Sequence, residues 1–314
     1  MKVRKQLFYC LLGGFSVIVG LTACGSDEEL KLVNTESISI DSVSNISLDY
    51  DADDLLIQNS KSKKIVLKEY MSRDKRKYYS QISQNNHAVA IKEGKRPIGS
   101  SFKSKMVLSV PKDYSGELEI HSTSGKVETT LSNQALASVS LDTTSGKISS
   151  NDLAANTITL TSTSGVISSS TLIAKNKIKI KSTSGPINLQ DVDVKKMELQ
   201  TTSADTELKK IQGQVNYETK SGELTLSDFS GNGEFTASGE GSMTLKIKKL
   251  TDDVSAFSKN GTVTLTLPDS KKAQLSLKTK EGKIKNQRDD LTEETKSSVP
   301  RINVETRNGD INVN

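Results

Sequence analysis

The residues of this chain that could do chemistry are its carboxylates, histidines and cysteines, and their spacing does not favour catalysis. Polysaccharide lyases and hydrolases need clustered carboxylates on one face, whereas the acidic residues after residue 120 are scattered. Asp191 and Asp193 share a strand face only as an isolated pair. His87 and His121 have no second His or Cys at ligand spacing. We therefore expect no enzyme activity, no cofactor and no metal site, and a polysaccharide-active enzyme is the least favoured function.

The N-terminus has the organisation of a secretion signal that ends on a cysteine. Three basic residues lie within the first five positions, and residues 7–20 are almost wholly apolar. The following Leu21-Thr22-Ala23-Cys24 resembles the lipobox of bacterial lipoproteins, which implies cleavage before Cys24 and a lipid on its thiol. Cys10 would leave with the signal. The alternatives are an ordinary signal with a chance cysteine and an uncleaved anchor, although a membrane span needs about 20 apolar residues.

The charge balance does not indicate a nucleic-acid partner. The chain has 43 basic and 38 acidic residues, a formal net charge of +5. Removal of the signal takes away three basic residues and leaves 40 against 38, a net charge of +2. Secretion also argues against nucleic acid. We expect a monomeric protein that is held at the outer side of a cell membrane, with a Gram-positive host favoured.

From about residue 120 a short motif recurs roughly every 20 residues. Its clearest copies are STSGKV at 122–127, TTSGKI at 143–148 and STSGVI at 162–167. A glycine after small polar residues predicts a tight turn in which the glycine reaches positive φ. Ala204 takes the place of one glycine. The turn glycines are Gly125, Gly146, Gly165, Gly185, Gly222, Gly241, Gly261, Gly282 and Gly309.

Apolar residues alternate with polar ones on both sides of each predicted turn. Period-two alternation predicts strands with one buried face, and about 20 residues make one coil of two or three short strands. We therefore predict an all-β fold, a single-stranded parallel β-helix (β-solenoid) of about ten coils, expected to be right-handed, with an N-terminal β cap. Ten coils at about 4.8 Å each would span about 48 Å. A β-sandwich is the alternative architecture.

The composition agrees with a repeat architecture and sets the expected boundaries. Only 33% of residues are hydrophobic, and Ser and Thr number 72 of 314, as expected where each coil buries a narrow strip. The expected segments are a signal peptide at 1–23, a polar tether at 24–35, the cap and first irregular coils at 36–111, and the solenoid at 112–314. A polar segment at 286–300 is expected to be an inserted surface loop.

Charge is unevenly spread before the repeats. Residues 27–54 contain nine acidic residues and one basic residue, whereas residues 61–105 contain thirteen basic and three acidic ones. We interpret the second segment as a basic hairpin that contacts an anionic polymer or lipid headgroups. Alternatively, its charges only prevent edge pairing. The candidate polyanion contacts are Lys63, Lys64, Arg73, Lys75, Arg76 and Lys77.

These features together resemble the putative-adhesin family of bacterial β-strand-repeat domains, a domain of unknown function. The resemblance rests on the stretch from Phe102 to Pro111, the Ser-Gly turns from Ser124 onward, and the closing Arg307-Asn308-Gly309-Asp310-Ile311. It covers roughly residues 36–314 and implies an envelope-facing β-solenoid without catalytic residues. We expect a membrane-anchored, non-enzymatic surface scaffold with an adhesin or envelope-structural role.

The alternative function is a binding or regulatory module of the envelope-stress or antimicrobial-peptide response. The family resemblance implies this role, because some members are tied to such responses. The partner of such a module would be an anionic envelope polymer, a peptide or a membrane protein, bound through the basic segment or a solenoid face.

Overall fold

The computed structural model describes residues 29–97, 101–132, 134–268, 273–288 and 299–314. Over these residues the chain is all-β, with 23 strands and one 3₁₀ turn at Arg76–Tyr78. No helix within them is long and apolar enough to cross a membrane. The strands are β1 (Lys31–Ser39), β2 (Asn45–Tyr50), β3 (Asp54–Ser60), β4 (Lys64–Met71), β5 (Gln81–Gln84), β6 (Ala88–Lys92), β7 (Ser104–Pro111), β8 (Glu117–Ser122), β9 (Val127–Thr130), β10 (Ala135–Thr143), β11 (Ile148–Asn151), β12 (Leu153–Ser162), β13 (Ile167–Ser169), β14 (Leu172–Ser182), β15 (Ile187–Thr201), β16 (Thr206–Thr219), β17 (Leu224–Ala237), β18 (Met243–Ser258), β19 (Val263–Thr266), β20 (Gln274–Thr279), β21 (Ile284–Asn286), β22 (Arg301–Thr306) and β23 (Ile311–Val313).

The coils from β8 to β18 contribute strands to three parallel ladders, which form three faces of the solenoid, and the described residues of the last two coils pair on two of these faces. Face A holds the strand before each Ser-Gly turn, face B the strand after it, and face C the strand that leads back to face A. In the coil from β12 to the start of β14, the inward side chains are 0–3% exposed. They are Ile158 and Leu160 on face A, Ile167 on face B, and Leu172 and Ala174 on face C. The predicted parallel β-solenoid is confirmed.

Parallel pairing in register stacks like side chains into columns. On face B, Ile148 pairs with Ile167, which pairs with Ile187. Twelve strands stack on face A, because the coils of β2 and β6 add to the ten repeat units. At about 4.8 Å per step, the stack is about 53 Å long. Few aliphatic side chains fill each coil, which explains the low hydrophobic fraction.

The coils at the N-terminal end do not stack in chain order. β2 and β3 pair in parallel with β8 and β9 on one side and with β6 and β7 on the other. The first coil of the chain is therefore the second in space. Beyond it, β4 pairs antiparallel with β7, β1 with β4, and β5 with β6. These antiparallel strands form the cap that a solenoid end requires.

The first strand begins within the tether expected over residues 24–35. β1 begins at Lys31 and pairs along its length with β4. Most side chains of β1 are exposed or half-buried, and among them Ile38 is buried. The strand is therefore held mainly by backbone hydrogen bonds to β4 and leaves no alternating pattern before Ile38 in the sequence.

The coils at the C-terminal end are also exchanged. β22 and β23 pair with β18 and β19 on one side and with β20 and β21 on the other. The coil of β20 and β21 is therefore the outermost one, and the last coil of the chain, β22 and β23, lies beneath it. The connection is the loop expected at 286–300, of which residues 289–298 lie outside the described residues.

The exchange buries the more apolar of the two last coils. Four side chains of the inserted coil are 0% exposed, whereas Ile284 of the outer coil is 44% exposed. Lysines on a terminal coil oppose pairing of its strand edges with another chain. The buried residues of the inserted coil are Ile302, Val304, Ile311 and Val313. The lysines of the outer coil are Lys278, Lys280, Lys283 and Lys285.

Candidate functional site

The basic residues chosen as polyanion contacts lie on the N-terminal cap in two separate groups. Lys63 and Lys64 lie at the start of β4, and residues 73–77 follow its other end. β4 has eight residues, so at about 3.3 Å per residue the groups are about 23 Å apart. The hairpin within residues 61–105 is formed by β5 and β6 and carries none of these six residues, because β4 pairs instead with β1 and β7. The lipidation site expected at Cys24 lies outside the described residues.

Aromatic side chains hold the loop that carries residues 73–77. The buried Tyr78 ring packs edge-on against Phe102, with ring centroids 5.2 Å apart. The Tyr79 hydroxyl donates a hydrogen bond to Asp74 Oδ1 at 2.6 Å, and this contact raises the pKa of Tyr79. Residues 75–77 are exposed. The three cations Lys75, Arg76 and Lys77 therefore project from a fixed loop.

A fully buried carboxylate lies beneath this loop. Glu69 is 0% exposed and accepts hydrogen bonds from the Ser80 N–H (2.8 Å), the Ser80 hydroxyl (2.7 Å) and Asn34 Nδ2 (2.8 Å). The Tyr50 hydroxyl donates to Ser80 Oγ at 2.7 Å, and burial raises the pKa of Tyr50. Since every partner belongs to the cap or its first coil, we assign this network to cap stability.

A second buried carboxylate pairs with an arginine at the corner between β2 and β3. Asp53 is 1% exposed and accepts hydrogen bonds from Arg96 and the Ser104 hydroxyl. Glu93 Oε1 lies 3.4 Å from Arg96 Nε, and Glu93 Oε2 accepts two backbone N–H groups just before Asp53, at 2.7 and 3.2 Å. Burial, followed by the charge of Asp53, raises the pKa of Glu93. This cluster ties the segment after β6 to the neighbouring coil.

The turn glycines form a column, although not for the predicted reason. A Cβ added to Gly165 would lie 1.9 Å from the Gly146 carbonyl oxygen, and the nine glycines show the same approach to a neighbouring coil at 1.9–2.5 Å. None of the nine has positive φ, so the expectation that the turn needs positive φ is wrong. Glycine is required because the stacked carbonyl leaves no room for a side chain. Ala204 occupies the tenth position and is fully buried.

The side chains weighed for catalysis make surface contacts. Asp191 lies at the corner between faces B and C with φ of 50°, and its Oδ1 is 3.3 Å from Lys210 Nζ. Asp191 and Asp193 both line a shallow groove at this corner. His121 Nδ1 lies 3.0 Å from Asp142 Oδ1, and both side chains are about half exposed. Within the described parts of the chain, no three His, Cys, Asp or Glu side chains are grouped as metal ligands.

A polar groove of about 630 Å³ crosses face A near the C-terminal end. The inserted coil forms its middle, because Arg301 and Asn303 lie between β18 and β20. The Arg301 N–H donates to Asp253 Oδ1 at 2.7 Å, across 48 positions of sequence. Sequence reasoning missed the groove because the motif spacing does not reveal the exchanged coil. Its other polar lining includes Gln214, Asn232, Glu234, Ser255, Gln274 and Ser276.

The family assignment follows from a match over most of the chain. The family model described as Toastrack DUF4097, a domain of unknown function, matches residues 43–235 and 217–314. The chain belongs to the Toastrack family. The two matches include the exchanged coils at both ends of the solenoid. The resemblance drawn from the Ser-Gly repeats is thereby confirmed.

Two solved structures resemble this Toastrack chain. One is a putative cell adhesion protein from Clostridium sporogenes, with 10% identity and a TM-score of 0.27, and the match covers 91% of this chain and 99% of that chain. The other is a putative adhesin from Bacteroides fragilis, with 12% identity and a TM-score of 0.43, covering 90% of this chain and 96% of that chain. No curated protein matches the chain.

Proposed function

We propose that the chain is a non-enzymatic surface scaffold of a bacterial cell envelope, anchored to the membrane through a lipid on Cys24, with an adhesive or structural role. The stack of twelve coils carries this proposal, because parallel ladders continue without a break from the cap to the terminal coil. Such a stack is a stiff rod about 53 Å long. A rod of this kind holds its outer faces away from the surface to which it is attached.

The order of segments supports attachment at the cap end. The lipobox-like Leu21-Thr22-Ala23-Cys24 precedes the cap, and six residues separate Cys24 from Lys31, where β1 begins. Two acyl chains bury enough methylene groups for stable anchoring, because each buried methylene contributes about 0.8 kcal/mol. Under this proposal the cap lies next to the membrane and the C-terminal coils point away from it.

The exposed cations of the cap favour an anionic neighbour. Lys75, Arg76 and Lys77 project from their fixed loop, and each cation near an anionic surface contributes about 1 kcal/mol. A cationic antimicrobial peptide would be repelled at this position. We therefore propose anionic headgroups or an anionic envelope polymer, rather than such a peptide, as the neighbour of the cap.

Replacement of the expected lipidation site tests the anchoring. We expect Cys24→Ala to release the protein from the membrane fraction, because the thiol that carries the lipid is lost. Cys10→Ala is the matched control, since that residue leaves with the signal, and it should leave membrane retention unchanged. Fractionation and metabolic labelling with a fatty acid measure both. Retention and labelling of Cys24→Ala at the wild-type level would show the proposed anchor to be wrong.

A further inference from the structure

One strand of face A carries an unusual row of lysines. On β14, Lys177, Lys179 and Lys181 alternate with Ile178 and Ile180, which are both 0% exposed. The three lysines, called the lysine row below, therefore point outward from face A at intervals of about 6.7 Å. Three further lysines lie nearby, Lys175 on β14 and Lys195 and Lys196 on the adjacent strand β15.

Neither the fold nor edge protection explains the lysine row. Lysine is a poor strand former, and Lys177 lies directly opposite Lys196 on β15, where like charges repel. Lysines do protect the edges of sheets, but β14 is paired on both sides, with β12 and with β15. The row therefore costs stability at a position where it prevents no aggregation. A cost of this kind points to a ligand.

The positive charge of this region is only partly neutralised. Glu198 lies 2.7 Å from Lys177 Nζ and 3.0 Å from Lys196 Nζ, and these two contacts lower the pKa of Glu198. Lys179 is in register with Glu198. Among the described residues, Lys179 and Lys181 make no ion pair. Two outward ammonium groups on one strand are thus available to anions.

Hydroxyl groups border the lysine row on its other side. Thr157, Thr159 and Thr161 are in register with the three lysines on the adjacent strand β12. The next strand, β10, continues these rows with Ser138 and Ser140. Asp142 follows Thr161 in the third row, and it is engaged by His121 at 3.0 Å. A linear ligand that runs along β14 therefore lies over the lysines, with the hydroxyl groups of β12 along one side.

We propose that the lysine row and its threonine border bind a linear envelope polymer in which phosphate groups alternate with hydroxylated units. The ammonium groups at intervals of about 6.7 Å pair with successive phosphates, and the threonine hydroxyls beside the lysines hydrogen-bond to the hydroxylated units. This site is distinct from the cations of the cap. It rests on the proposed function in one respect, since the chain meets such a polymer outside the cell.

Paired charge-neutral variants test the site. The full-length protein is titrated with poly(glycerol phosphate) at low and physiological salt. We expect Lys179→Gln with Lys181→Gln to weaken binding about tenfold or more. The control is Lys248→Gln with Lys249→Gln, which removes the same charge from exposed positions of β18 and should change affinity by less than about twofold. Circular dichroism verifies that both variants keep the wild-type strand content.

Three outcomes would overturn the whole proposal, and a fourth would overturn its threonine part. They are the absence of binding by the wild-type protein, equal weakening by both double variants, which would reduce the effect to net charge, and tighter binding of polygalacturonate than of poly(glycerol phosphate), which would exclude the phosphate assignment. Tighter binding of inorganic polyphosphate than of poly(glycerol phosphate) would exclude a role for the threonines, because polyphosphate has no hydroxylated units. Binding is measured in solution and anchoring by fractionation, so failure here is distinguishable from failure of the proposed anchor.

Discussion

A glycine of the turn column is constrained by the carbonyl oxygen of a neighbouring coil. The contact repeats in the nine glycine turns at 1.9–2.5 Å, because the coils stack in register. The residue type could be predicted from the motif, but the reason could not. Positive φ and close approach both select glycine, and only coordinates distinguish them. Ala204 shows that one turn of the column accommodates a Cβ.

Gly165→Ala should destabilise the solenoid by about 2 kcal/mol or more, because its Cβ would meet backbone rather than a movable side chain. Chemical denaturation measures the free energy of unfolding. Ser164→Ala is the neighbouring control. It removes an exposed hydroxyl 3.3 Å from the Thr144 carbonyl and should cost less than about 0.5 kcal/mol. A similar loss in both variants would contradict the steric explanation.

At the scale of elements, backbone pairing and a few buried polar contacts decide how the cap is attached. Alternation identified β2 and β3 from the sequence because each has a clear buried side. The beginning of β1 could not be identified from the sequence, because the pairing of β1 with β4 buries few of its side chains. The contacts of Glu93 and Arg96 with the corner at Asp53 could not be predicted either, since they join segments about 40 residues apart.

The raised pKa of Glu93 predicts a pH dependence of stability. Because the folded state favours the protonated carboxyl, the unfolded chain loses its proton first as the pH rises. The stability that the protonated Glu93 carboxyl contributes is present below the ordinary pKa of 4.5. It is lost as the pH rises through the raised pKa of the folded state. Glu93→Gln mimics the neutral carboxyl, so its stability relative to wild type should increase with pH over this range.

Thermal unfolding at several pH values measures this difference. Glu119→Gln, at an exposed position of face A, is the control and should follow the wild-type curve. A constant difference between Glu93→Gln and wild type from pH 4 to pH 7 would contradict the assignment of Glu93 as a carboxyl that is costly to ionise.

At the scale of the whole molecule, both ends of the solenoid depart from chain order. The motif spacing predicted the number and shape of the repeat coils, and the spacing of 27 between Gly282 and Gly309 marked an insertion. It did not predict that the coil after the insertion lies beneath the coil before it. The groove on face A depends on this exchange, because Arg301 and Asn303 line its middle.

Engineered disulfides test the exchange. Ser255 is in register with Asn303, about 4.8 Å away between strands, which suits a disulfide. We therefore expect Ser255→Cys with Asn303→Cys to cross-link on oxidation, in a background without the native cysteines. Ser255→Cys with Ser276→Cys is the control, because these positions are two strands apart, about 9.6 Å. Preferential cross-linking of the control pair would mean that the coils follow chain order.

The sequence by itself determined the fold class, the strand alternation and the turn residues of this Toastrack chain, because each is a local consequence of a 20-residue repeat. Side-chain period acts over a few residues and the turn motif recurs at a nearly constant spacing, so both can be read along the chain. The tertiary structure alone decided the order of the end coils, the separation of the cap cations and the surroundings of the lysine row. These depend on which strands lie side by side, and that choice follows from burial of the more apolar coil and protection of the exposed edges.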